Sequence, residues 1–198
     1  MTKNEFLQRF NMSQLSKSSM QELLLSRPKK LTQSAVLIPL FEEDGQLQVL
    51  LTKRAKHLKH HPGQISFPGG KVEADDLNHI DTALREANEE IGLQAIDCEI
   101  IGQLHPYQTI TGFSITPVIA ILKRRADFFI DENEVAEIFH VPFQHFLHSK
   151  QHYSIQVSHK IGNQQVHFMP YKSYNIWGAT AAILNDLKTH IKTSILKP

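Results

Sequence analysis

The stretch from Gly69 to Leu93, GGKVEADDLNHIDTALREANEEIGL, joins a glycine turn to the clearest helical pattern in the chain. Leu77, Ile80, Leu84, Ala87 and Ile91 recur at helical spacing, Asp75 or Asp76 is placed to cap the start, and Gly92 to end it. At about 100° per residue, Ile80, Ala87 and Ile91 fall on the side of Leu84, whereas Glu86, Glu89 and Glu90 gather on the opposite side. Like charges three and four residues apart meet on a helix surface, and each such pair costs roughly a few tenths of a kcal/mol. A hard divalent cation offsets that repulsion, because Mg²⁺ takes oxygen ligands and keeps coordination positions for water and phosphate. Spacing alone leaves a second reading open, a solvated acidic face with Arg85 as its ion-pair partner.

Working outward, Ala35 to Phe41 is a short apolar run with strand character, and Leu47, Val49 and Leu51 alternate with Gln48, Leu50 and Thr52. Glu43-Asp44-Gly45 between them predicts a hairpin. Gln64 to Phe67 predicts a short strand entering Pro68-Gly69-Gly70. Beyond the helix, Ile96 to Leu104 and Ile115 to Leu122 read as central strands separated by Thr111-Gly112. Tyr153 to Val157 and Gln165 to Met169 flank Gly162-Asn163 as a late hairpin, and Ile176 to Ile191 reads as a final helix with Trp177, Ala181, Leu184 and Leu187 inward. Glu5 to Leu25 is helical in pattern, broken by Arg27-Pro28-Lys29-Lys30. Mixed in this order, the elements predict an α/β sheet covered by helices on its faces.

A chain of 198 residues without a repeat or a Ser/Gly linker predicts one domain, 1–198, with a helical arm over 1–33 and a catalytic core over 34–198. No apolar run approaches the length of a bilayer span, and the N-terminal residues lack the pattern of an export signal, so a cytoplasmic protein is expected. Cys98 is the only cysteine, which rules out an internal disulfide and suits a reducing compartment. A formal charge of +1 argues against a general nucleic-acid binder. The 12 histidines show no paired ligand spacing and read as surface or hydrogen-bonded residues. A small-molecule substrate is expected, with no nucleic acid and no membrane; a homodimer is compatible with the sequence.

The acidic helix resembles the Nudix box, G-x(5)-E-x(7)-R-E-U-x-E-E-x-G-U, where U is a bulky aliphatic residue. Arg85-Glu86-Ala87-Asn88-Glu89-Glu90-Ile91-Gly92-Leu93 matches its second half, with small Ala87 at an aliphatic position. Gly70 stands one residue farther from Arg85 than the usual spacing, so Glu73, Asp75 or Asp76 fills the role of the isolated upstream Glu. Upstream, Leu50 to Gly70 (LLTKRAKHLKHHPGQISFPGG) is similar to the motif of coenzyme A pyrophosphatases, L-L-T-x-R-[SA]-x(3)-R-x(3)-G-x(3)-F-P-G-G. Lys59 replaces the motif's inner Arg, which keeps the charge and loses the planar fork suited to phosphate. Asn133-Glu134-Val135 followed by Val141-Pro142 looks like the family's acidic loop.

The resemblance implies a Nudix-type α/β/α sandwich with a mixed β-sheet between helices, and hydrolysis of coenzyme A or an acyl derivative to 3′,5′-ADP and (acyl-)4′-phosphopantetheine. It implies Mg²⁺ or Mn²⁺ held by Glu86, Glu89 and Glu90 with the Gly69 carbonyl, and catalytic roles for Glu89, Glu90, Arg85 and Glu134, with Glu137 behind Glu134. Arg85 orients the carboxylates on this reading. Substrate binding falls to Lys53, Arg54, Lys59 and Gly70, with Lys56 in the same basic run. Tyr174 and Trp177 are candidates to contact the ligand, although a Trp at a helix start is expected to be buried. Two other readings stand beside it: a Nudix pyrophosphatase for another nucleoside diphosphate derivative such as ADP-ribose, and a catalytically silent module that binds a nucleotide or a protein.

Overall fold

The computed structural model describes residues 1–12, 31–123, 128–148, 150–159 and 162–193. In chain order the elements are α1 (Lys3–Met12), β1 (Thr32–Glu43), β2 (Gln46–Arg54), β3 (Ile65–Ser66), β4 (Gly69–Lys71), α2 (His79–Ile91), a 3-10 turn at Ala95–Asp97, and β5 (Cys98–Gln103). They continue through β6 (Tyr107–Gln108), β7 (Phe113–Leu122), β8 (Val135–Pro142), α3 (Phe143–His148), β9 (Tyr153–His159), β10 (Gly162–Phe168) and α4 (Gly178–Thr193).

The main sheet runs β3-β2-β1-β7-β5, with β4 on β1, β6 on β7 and β8 on β2. At its centre β1 and β7 are parallel from Thr32↔Phe113 to Leu40↔Ile121, and the remaining pairings are antiparallel, so the sheet is mixed as expected. Two-residue alternation sorts β1 into two faces. Ile38 and Leu40 pack with Leu47, Val49, Leu51, Ile119 and Ile121 under α4, α1 and α3. Ala35, Leu37 and Phe41 pack with Leu50, Val118, Ala120 and Ala83, Ala87 and Ile91 of α2. Helices on both faces explain why β2 is buried without a break from Leu47 to Thr52, where the alternation predicts one polar face.

Several expectations need correction. Asn78, not Asp75 or Asp76, caps α2: its Oδ1 accepts from the amides of Ile80 (2.8 Å) and Asp81 (3.2 Å). Leu77 therefore precedes the helix and is 90% exposed instead of packing inward. Gly92 ends α2 as expected, in the left-handed region at φ 69°. Gly162 and Asn163 are not the turn of the late hairpin; they pair with His159 and Ser158 within β9–β10. The segment read as an acidic loop contains a strand, because Val135 to Pro142 completes the free edge of β2. The final helix starts at Gly178, and Trp177 lies before it, 39% exposed and stacked on Phe168 at 6.1 Å. The N-terminal helical pattern is realised over Lys3–Met12, and the rest of that expectation lies outside the described residues apart from Leu31 onward. Among the described residues no helix is long and apolar enough to cross a membrane.

The first helix belongs to the core. Phe6 is fully buried, stacks on Phe10 at 5.8 Å and meets Phe143 edge-on at 5.4 Å, while the Phe10 carbonyl lies 3.0 Å from His190 Nε2 on α4. Phe6→Ala is expected to lower stability by about 3–5 kcal/mol, the scale of a buried Phe deletion. Urea unfolding measures it, and a loss below about 0.5 kcal/mol would mean that α1 is only draped on the surface.

Candidate active site

The site forms where the glycine turn crosses the acidic face of α2. Antiparallel pairing sets Gly69 opposite Val36 and Gly70 opposite Ala35, pressing the turn flat against β1. A Cβ at Gly69 would overlap the Ala35 carbonyl and Val36, and one at Gly70 would overlap the carboxylate of Glu86. Both positions need glycine for close approach: one to strand, one to side chain.

Arg85 organises the acidic groups. Its Nε donates to Asp76 Oδ1 at 3.0 Å, Nη1 to Glu86 Oε1 at 3.0 Å and Glu89 Oε2 at 3.1 Å, and Nη2 to Asp76 Oδ2 and the Lys71 carbonyl, both at 3.0 Å. Five N–H groups meet five acceptors, which leaves none for a ligand. Of the three upstream acids, Asp76 is the one enclosed with Arg85; Glu73 reaches it only at 4.0 Å from an exposed position. Asp76 also accepts from the Glu73 amide at 2.9 Å and the Thr82 hydroxyl at 2.8 Å. The Arg85 hydrogen bonds, and then that amide, hold its carboxyl well below the usual carboxylate range.

Glu90 is enclosed at 3% exposure although the helical wheel sets it opposite the core. Covering comes from the segment after β7, where the amides of Phe129 and Asp131 donate to the carbonyls of Ile91 (3.1 Å) and Glu90 (3.0 Å) at the end of α2. Asp131 then turns the chain, accepting from the Asn133 amide and side chain at 2.9 and 2.8 Å. Glu134 arrives beside the acidic helix, anchored by the Ala55 amide on its carbonyl at 2.8 Å. Burial pushes the Glu90 carboxyl up to about 8; Arg54 opposes this, Glu134 and Glu86 add to it, and a hydrogen bond with the Gly69 backbone opposes it again. Burial raises Glu86 too, against Arg85 and with Glu89 and Glu134.

The expected residues thus divide. Glu86, Glu90, Glu134, Arg54, Gly69 and Gly70 come together, and Glu89 borders them from an exposed position on the Arg85 side. Lys53 points along the sheet to Glu137 on β8, 3.7 Å away, and Tyr174 donates its hydroxyl to the other Glu137 oxygen while stacking on Phe139 at 3.7 Å. Glu137 is therefore engaged within the sheet edge instead of standing behind Glu134. Lys59 and Lys56 are exposed in the turn after β2, a segment tied to the Glu134 side by His57 Nε2, 3.0 Å from the Asn133 carbonyl oxygen. The Tyr174–Glu137–Lys53 chain has no counterpart in the sequence reading, since three distant segments build it.

All oxygen donors on this face and their net negative charge suit a hard divalent cation. As placed, no three His, Cys, Asp or Glu side chains among the described residues converge closely enough to chelate one, because Arg85 grips Glu86 and Glu89.

A family model for the NUDIX domain matches residues 31–160. The chain belongs to the Nudix hydrolase family. A protein from Enterobacter sp. (strain 638), named an uncharacterized Nudix hydrolase NudL, is 38% identical over 191 residues, spanning 96% of this chain and 95% of its own. Proteins of the same name from Salmonella newport and Yersinia enterocolitica are 37% and 35% identical over 96% of this chain and 95% and 93% of theirs. In fold, this Nudix chain is similar to the MutT protein from Methanosarcina mazei Go1, with a TM-score of 0.55 at 19% identity over 87% of this chain and all of that one. It is also similar to RenU, a Nudix hydrolase from M. smegmatis, with a TM-score of 0.50 at 24% identity over 57% of this chain and 71% of that one.

Because the Asp76 carboxyl ionises more readily in the folded Nudix domain than unfolded, its ionised form favours folding. That contribution is complete above the unfolded pKa of about 3.9 and drains away as pH falls through the lower folded value. Asp76→Asn is expected to be less stable than wild type at neutral pH, with the gap narrowing below about pH 4. Urea midpoints across that range check it, and a gap that does not change with pH would assign the effect to something other than the charge.

Proposed function

We propose that this Nudix hydrolase cleaves the diphosphate linkage of coenzyme A or acyl-coenzyme A, releasing 3′,5′-ADP and (acyl-)4′-phosphopantetheine. The observation that carries the reading is the convergence of the FPGG turn, Glu86, Glu90, Glu134 and Arg54 on one patch, with the motif of Leu50 to Gly70 supplying strand, basic side chains and turn. Glu86 and Glu90, with Glu89 and the Gly69 carbonyl, are the residues to hold Mg²⁺ or Mn²⁺. Bound there, such an ion neutralises diphosphate oxygens and lowers the pKa of a water.

The chain's own groups do the rest. Glu134 faces Glu86 and Glu90 from a separate loop, the position for a base that takes a proton from the attacking water. Arg85 contributes by fixing Glu86 and Glu89, with no donor left for substrate, so it is a positioning residue. Arg54 offers charge at the patch itself and Lys59 carries it into the following turn, suiting a ligand with three phosphate groups, whereas the ammonium of Lys53 is paired with Glu137. Gly70 leaves the turn open, since any side chain there would fill the space of the Glu86 carboxylate.

Given Mg²⁺ or Mn²⁺ and a panel of coenzyme A, acyl-coenzyme A, ADP-ribose and diadenosine polyphosphates, the purified protein is expected to turn over coenzyme A or acyl-coenzyme A in preference to the others and to release 3′,5′-ADP from them, identified by mass. Preference for ADP-ribose would overturn the coenzyme A assignment, and no turnover of any substrate would favour a silent binding module. Glu90→Gln is expected to cut kcat by on the order of 10²–10³-fold, the scale for losing one group that stabilises transition-state charge, with the circular dichroism spectrum unchanged. Lys59→Arg should lower the KM for coenzyme A by restoring the planar fork; an unchanged KM would remove Lys59 from the phosphate site.

A further inference from the structure

Glu134 reaches the acidic patch with nothing holding its own side chain. Among the described residues no group donates a hydrogen bond to its carboxylate, so its direction comes from the backbone that carries it. A peptide group is planar, and a residue is oriented by the two planes that meet at its Cα. The plane ahead of Glu134 holds the Asn133 carbonyl and the Glu134 amide; the plane behind it holds the Glu134 carbonyl and the Val135 amide. All four polar groups are engaged. The Glu134 and Val135 amides donate to the Asp131 carbonyl at 3.0 and 2.8 Å, and the Ala55 amide donates to the Glu134 carbonyl at 2.8 Å. The fourth group, the Asn133 carbonyl oxygen, lies 3.0 Å from His57 Nε2 and can only accept, so the imidazole N–H is the donor.

Three of these four bonds run from main chain to main chain, and only His57 contributes a side chain. It does so from a turn that is itself braced. The Arg54 amide donates to the Gln64 carbonyl at 2.9 Å and the Gly63 amide to the Arg54 carbonyl at 3.1 Å, closing the neck of the turn, with His61 and Gly63 in the left-handed region at φ 55° and 69°. Arg54, His57 and Lys59 therefore belong to one braced piece. On its other side the Glu134 loop is fixed to the end of α2, where the Asp131 amide donates to the Glu90 carbonyl at 3.0 Å. The imidazole spans the gap between the cationic turn and this loop.

We propose that His57 is a positioning residue, which by donating from Nε2 to the Asn133 carbonyl fixes the peptide plane ahead of Glu134 and so directs that carboxylate at the attacking water. The inference rests on Glu134 acting as the base. His57 and Asn133 are both exposed, so water replaces the bond when it is lost and the fold gains little from it. Its consequence is directional: a reacting group displaced by about an ångström loses rate without loss of the fold. Because His57 sits two residues before Lys59, a ligand phosphate drawn to that lysine steadies the same imidazole.

The test compares His57→Ala, His57→Gln, Glu134→Gln and the double variant His57→Ala/Glu134→Gln, with coenzyme A and Mg²⁺, alongside amide exchange by NMR and urea unfolding. His57→Ala is expected to lower kcat about fivefold, the scale of one neutral hydrogen bond, with KM moving less, the urea midpoint unchanged and the Glu134 amide exchanging faster. His57→Gln, whose amide nitrogen can donate from the place of Nε2, is expected to restore most of kcat. In the Glu134→Gln background His57→Ala is expected to cost nothing further, because the group it positions is gone. A wild-type kcat in His57→Ala beside a slow Glu134→Gln would overturn the proposal, and so would an equal fold-loss from His57→Ala in both backgrounds. A wild-type rate in Glu134→Gln alone would instead remove the base assignment on which it rests. Should wild type leave coenzyme A intact, the coenzyme A reading falls and exchange decides: an unchanged Glu134 amide in His57→Ala sinks the link.

Discussion

One guanidinium holds the acidic end of this molecule together. Three carboxylates within one helix turn repel, and a fourth arrives from another loop, yet Arg85 meets Asp76, Glu86 and Glu89 with its whole fork and adds the Lys71 carbonyl. A lysine would supply the charge without the planar geometry that lets one side chain bind three acids at once. The contacts also join two elements, since Asp76 and Lys71 belong to the approach from β4 and the glutamates to α2. The glycine turn can lie against Glu86 because the carboxylate beneath it is fixed.

Enclosure of Glu90 follows from the same assembly and has an opposite character. Glu86 and Glu89 are paired with Arg85, whereas Glu90 is walled in by the Gly69 turn on one side and the 129–134 segment on the other, with Arg54 as its compensating charge. Burial raises the tendency of the Glu90 carboxyl to hold a proton, so a cation arriving there competes with that proton. Burial, not the crowding of charge alone, thus separates the roles of residues that look equivalent along the helix.

Much of this was visible in the residues themselves. The period of Ile80, Leu84, Ala87 and Ile91, the stop at Gly92 and the glutamate face all appear in α2 as read. What stayed hidden was decided by distant partners. Asp75 and Asp76 are as good caps as Asn78 by residue type; Asp76 is diverted because Arg85, nine positions later, needs both its oxygens. Val135 to Pro142 carries too mixed a pattern to announce a strand and becomes one because β2 has an open edge. Trp177 fits a helix start by pattern, but stacking on Phe168 of the late hairpin draws it away from the core.

The parallel seam at the centre of the sheet bears on how the chain is made. Strand β1 is finished early in synthesis, yet its partner at Phe113 lies about 80 residues later, so that edge waits exposed while everything between is translated. The antiparallel hairpin with β2 and the FPGG turn form first and shield one side only. The apolar residues Ala35 to Leu40, unpaired along the edge that later meets β7, are the segment a chaperone on the ribosome would meet.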